Sequence, residues 1–70
     1  MNYEARRKLA QNPNTTLSDF IKLSKDKNWR IRYYVAKNPR IPMSLKVILR
    51  KDKHPLVRDA IENAVYKFEN

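Results

Sequence analysis

The sequence predicts an all-α fold made of about two and a half stacked helical repeats of 26 residues. Three observations carry that expectation. Residues 6–31 laid over 32–57 without a gap give nine identities: Arg6 with Arg32, Ala10 with Ala36, Asn12-Pro13 with Asn38-Pro39, Ser18 with Ser44, Leu23 with Leu49, and Lys25-Asp26-Lys27 with Lys51-Asp52-Lys53. Apolar residues keep the same frame, with Leu9 over Val35, Leu17 over Met43, Ile21 over Val47, Leu23 over Leu49 and Ile31 over Val57. A partial third copy spans 58–70. No segment alternates as a strand. A fixed period of this length marks supersecondary units that cannot bury their apolar faces alone and stack to do so.

The elements follow in order. A first helix is expected over 2–11 and stops at Asn12-Pro13, because proline disfavours the helical region for the residue before it and asparagine tolerates the left-handed conformation common at helix ends. A second, over 16–25, starts at Thr16 as N-cap with Asp19 as its capping-box partner. A third, over 28–37, buries Ile31, Tyr34 and Val35 at helical spacing and stops at Asn38-Pro39. A fourth, over 42–51, places Pro42 at its first helical position. The last, over 55–68, opens at His54-Pro55 and lines Val57, Ala60, Ile61, Ala64, Val65 and Phe68 along one face. Tyr3 and Tyr66 are expected to pack the two ends.

The stretch DKNWRIRYYVAKNPRIPMSLKVIL, residues 26–49, resembles the leucine-rich repeat variant motif, a HEAT-like unit whose pattern runs Asp, Val-Arg, Val-Ala, Asn-Pro, then Pro and spaced leucines. The likeness covers nearly the whole chain. It implies a short right-handed α-solenoid of paired helices, residues 1–70 forming one domain. The first copy departs from the motif in having Thr16 where the family prefers proline. The founding member resembles an array fused to a cysteine-bearing iron-sulfur module; with no cysteine here, no cluster carries over.

Composition limits the function classes. A domain of 70 residues has a thin core and little room for an enclosed pocket. There is no cysteine and a single histidine, His54, which excludes a disulfide framework and a zinc cluster and fits a reducing cytoplasm. His54 itself reads as a surface residue in a turn. Apolar stretches are far short of a bilayer span and the start lacks a secretory pattern, so the chain is expected to be soluble, cytoplasmic and without membrane contact. The acids are scattered, and neither a nucleophile beside a histidine nor a glycine loop for a nucleotide is present. The expectation is a non-enzymatic binding module with no cofactor and no small-molecule substrate.

Charge points to the partner. The net charge is +9, and residues 22–58 hold twelve Lys and Arg against Asp26 and Asp52 alone. Arg6, Arg32 and Arg58 recur at the repeat interval, and Asp26 and Asp52 each precede a repeat arginine by six residues, so these are assigned to ties between neighbouring units. Residues that break the repeat are more informative. Arg30, Tyr33 and Lys37 form an outward stripe on the third helix; Lys46 and Arg50 form another on the fourth helix, continued at its exit by Lys53, which matches Lys27; Arg40 lies in the turn between. Lys25 and Lys51 keep the pattern and are expected to matter less. Such a surface suits nucleic-acid phosphates, bound through the backbone with low sequence specificity. The alternative is an adaptor or inhibitor docking on an acidic protein surface, or a piece of a longer array. Trp29 is either an exposed stacking platform or a half-buried cap on the repeat interface.

Overall fold

A computed structural model describes residues 1–69, with side chains placed for residues 1–62. The inward roles expected for Ala64, Val65, Tyr66 and Phe68 lie outside the described side chains. The described residues form five α-helices and no strand: α1 (Tyr3–Gln11), α2 (Leu17–Leu23), α3 (Trp29–Lys37), α4 (Met43–Leu49) and α5 (Pro55–Glu69). Helix α3 packs between α1 and α5. The short α2 contacts both α1 and α3, and α4 contacts both α3 and α5.

Local chemistry explains where each helix begins. Asn2 accepts from the Ala5 N–H at 2.8 Å, Thr16 from the Asp19 N–H at 3.2 Å, and Asn28 from the Arg30 N–H at 2.9 Å. Each side-chain oxygen satisfies one of the amides that a helix start leaves without a partner. Pro42 stands one residue outside α4 rather than at its first position. It has φ −62°, accepts from the Leu45 and Lys46 N–H groups with its carbonyl, and has no side chain that could cap.

The helix stops differ from expectation in one physical respect. Asn12 and Asn38 do end α1 and α3, but with φ near −75° and −70° and ψ near 125° and 123°, which is extended and not left-handed. The following proline imposes that conformation. Each Asn Oδ1 then accepts from the N–H two residues on, Asn14 at 2.8 Å and Arg40 at 2.9 Å, closing a turn over the proline. Among the described residues none has positive φ, which is how a glycine-free chain can turn at all.

The core contains Ala10, Phe20, Leu23, Ile31, Val35, Ala36, Ile41, Leu45, Leu49, Val57, Ala60 and Ile61. Ile31, Val35, Val57 and Ile61 are fully enclosed, because they lie where α3 and α5 press together. Tyr34 is only half-buried, against the expectation that it joins Ile31 and Val35 inside.

Polar ties repeat at the sequence interval of 26. Asn38 is 3% exposed and donates from Nδ2 to the carbonyls of Ala10, at 2.8 Å, and Asn12, at 3.0 Å, joining the ends of α3 and α1. Arg6 donates from Nε to Asp26 Oδ2 at 2.8 Å, and Arg32 from Nε to Asp52 Oδ1 at 2.8 Å. Arg32 also donates to the Asp26 carbonyl at 2.6 Å, as Arg58 does to the Asp52 carbonyl at 2.6 Å. Each aspartate thus receives one arginine on its carboxylate and another on its backbone. The arginines serve the fold.

Candidate functional site

Those ties shape a surface at one end of the molecule. The α2–α3 and α4–α5 loops carry Lys25-Asp26-Lys27 and Lys51-Asp52-Lys53, and in both the aspartate turns inward. Asp26 Oδ1 accepts from the Asn28 N–H and Asp52 Oδ2 from the His54 N–H, both at 2.9 Å, while the arginines take the remaining oxygens. Burial pushes the Asp52 carboxyl up, but the bonds from Arg32 and the His54 N–H, with the Arg32 charge, outweigh it and hold the group below its ordinary value. With both carboxylates already occupied by these bonds, no ion pair joins them to the flanking lysines. Lys25, Lys27, Lys51 and Lys53 are exposed and line one open cleft of 550 Å³ between the loops. Among the described residues no carboxylate pairs with any of the four. The rest of the lining is Ile48 and Leu49 with Ser24, Asp26, Arg32 and Asp52.

Helix α3 adds an aromatic row beside this end. The Trp29 ring stacks on His54 with centroids 3.9 Å apart and planes 12° from parallel. The Arg30 guanidinium lies 4.9 Å from the Trp29 centroid, Tyr33 meets Trp29 edge-on at 6.3 Å, and Lys37 Nζ lies 5.9 Å from the Tyr33 centroid. Trp29 is therefore the half-buried alternative, with one ring face covered by His54. His54 is not a simple turn residue. Its Nδ1 accepts from the Leu56 N–H at 3.1 Å, so it caps α5 while stacking on α3.

The seven residues singled out by sequence do not gather in one place. Arg30 lies at the α3 start, whose neighbour is the α4–α5 loop, and Lys53 lies in the cleft itself. Arg50 is exposed where α4 ends and that loop begins. Lys37 and Arg40 are exposed at the opposite end of α3, roughly 10 Å away along its axis, by the Asn38 tie. Tyr33 is half-buried between them. Lys46 is half-buried and already engaged, so it does not belong to an open cationic stripe. Its position aligns with Phe20, a core residue, and that alignment was the signal that it is partly covered.

Lys25 and Lys51 were undervalued on sequence grounds because they keep the repeat pattern, and Lys27 was not singled out. Their signal was the recurrence of Lys-Asp-Lys before a position whose arginine needs the aspartate.

No family model, curated protein or solved structure matches this chain. Its chemistry must be argued from its own side chains. Among the described residues no three His, Cys, Asp or Glu side chains could jointly hold a metal ion, and no helix is long and apolar enough to cross a membrane.

Proposed function

We propose that the chain is a short right-handed α-solenoid of the leucine-rich repeat variant type, a non-enzymatic cytoplasmic module that binds nucleic acid through its phosphates. The observation that carries this reading is the cleft of four exposed lysines, which outnumber the two aspartates that also line it, both of them already bonded to arginines and backbone N–H groups. Arg30 and Arg50, exposed next to the cleft, extend the positive field along the same end. Each phosphate neutralised releases counterions, so affinity must depend steeply on salt. The contacts read the backbone and not base edges, which gives low sequence preference.

The test is a salt titration of binding to random-sequence single-stranded DNA, duplex DNA and RNA. The logarithm of affinity should fall linearly with the logarithm of salt, with a slope implying on the order of four to six phosphate contacts. Changing Lys25, Lys27, Lys51 or Lys53 singly to glutamine should lower that slope by about one unit each and leave the melting temperature nearly unchanged. Lys37→Gln and Arg40→Gln, at the far end of α3, should lower it less. No binding at low salt, or a slope indifferent to all four cleft substitutions, would refute the reading.

A further inference from the structure

The α4 surface carries an apolar stripe that nucleic-acid binding does not use. Met43 is 70% exposed, Val47 50% and Ile48 56%. Met43 and Val47 stand one turn apart on one face, and Ile48 lies about 100° further round the helix, on the side of the lysine cleft. Isolated exposed apolar residues are ordinary, but three on a seven-residue helix are a patch. Ile48 also lines the lysine cleft, so the apolar surface of α4 reaches Lys51, Lys53, Lys25 and Lys27 through Ile48. Arg50 is exposed at the same end of α4.

We infer that α4 and the adjoining cleft dock an amphipathic helix of a partner protein whose apolar face is bordered by Asp or Glu. Charge complementarity selects this occupant. A second copy of the chain would bring two molecules of charge +9 together with exposed lysines and Arg50 at the seam, and no exposed acid on α4 or its flanking loops to offset them. Nucleic acid satisfies the lysines and leaves Met43 and Val47 in water. A helix with leucines one turn apart and carboxylates toward one end satisfies both halves of the surface, apolar on apolar and acid on lysine. The docking does not require that nucleic acid bind, and each can fail alone.

The probe is a synthetic helical peptide with leucines at i, i+3, i+4 and i+7 and glutamates along the borders. Controls are a scrambled peptide of the same composition and one with lysine for glutamate. Binding to the full chain is followed by fluorescence anisotropy and by amide chemical-shift changes. The designed peptide should shift Met43, Val47 and Ile48 together with the cleft lysines, and should bind about tenfold more tightly than the scrambled one. The lysine-bordered peptide should not bind. Val47→Asp and Met43→Asp should each weaken the designed peptide about tenfold while leaving the salt slope for DNA unchanged. Equal binding of the scrambled peptide, or indifference to both aspartates, would reduce the effect to bulk charge and overturn the proposal. So would no binding at all, or a dimer in sedimentation equilibrium that Val47→Asp dissolves.

Discussion

Arg32 and Asp52 form the most enclosed ion pair among the described residues, each side chain 8% exposed. The guanidinium is saturated by Asp52 Oδ1 and Oδ2 and by the carbonyls of Asp26 and Lys27, so neither charge is left without compensation. Removing one partner strands the other: Arg32→Ala should cost about 3–5 kcal/mol, enough to unfold much of a domain this small. The double variant Arg32→Met with Asp52→Leu should recover most of that loss in urea melts, because an apolar pair removes the desolvation penalty along with the attraction. If the double variant is as unstable as Arg32→Ala, the pair is not the source of the loss. Acid should act through the same site. The Asp52 pKa is lowered in the folded chain relative to its ordinary 3.8, so its contribution is full above that value and is lost as pH falls through the lower folded value. Urea midpoints should therefore drop below about pH 4, and Asp52→Asn should flatten that drop.

At the scale of elements, two stops of the same sequence do unequal work. Asn12 and Asn38 both close a turn over proline, but Asn38 alone is buried and reaches two carbonyls of the α1 end. Asn38→Ala should exceed Asn12→Ala in cost by on the order of 1–3 kcal/mol, since it removes the buried amide donor to the Ala10 carbonyl and leaves the Asn12 carbonyl with the Thr15 N–H alone. Thermal melts resolve this, at about 4–8 °C per kcal/mol for a domain of this size. Equal costs would mean that the turn, and not the tie between helices, is what matters. The helices themselves were legible because their signals are local: Asn-Pro stops, Thr16 as cap, and apolar spacing within one or two turns. All five appear in the expected order. The ends of α2 and α4 fall short of expectation, at Leu23 and Leu49, because the chain must leave the helix early enough to bring Asp26 and Asp52 to their arginines.

For the molecule as a whole, the distribution of charge was legible and its geometry was not. The excess between Lys22 and Arg58 is plain in the sequence, yet which lysines share a cleft depends on two loops meeting that are 26 residues apart. The double role of His54 was hidden for the same reason, since Trp29 lies 25 positions earlier. Lys46 misled because helical spacing groups it with Arg50 and Lys53, while its half-buried place answers to tertiary packing. One consequence is measurable without any partner. Lysines crowded at one end repel each other, so raising sodium chloride should raise the melting temperature, and phosphate at matched ionic strength should raise it further by occupying the cleft. A melting temperature that falls with salt would show that surface pairs such as Arg7–Glu4, 2.7 Å apart, outweigh the repulsion.

The turns built from Asn-Pro without any left-handed residue also act on the other side of the folding equilibrium. A chain with four prolines and no glycine samples fewer backbone conformations when denatured, and each such restriction compatible with the native angles is worth about 0.4–1 kcal/mol. The twelve buried apolar side chains among the described residues therefore face a smaller entropic opponent than the same core would in a glycine-bearing chain. Part of what keeps this protein folded is the narrowness of its own disorder.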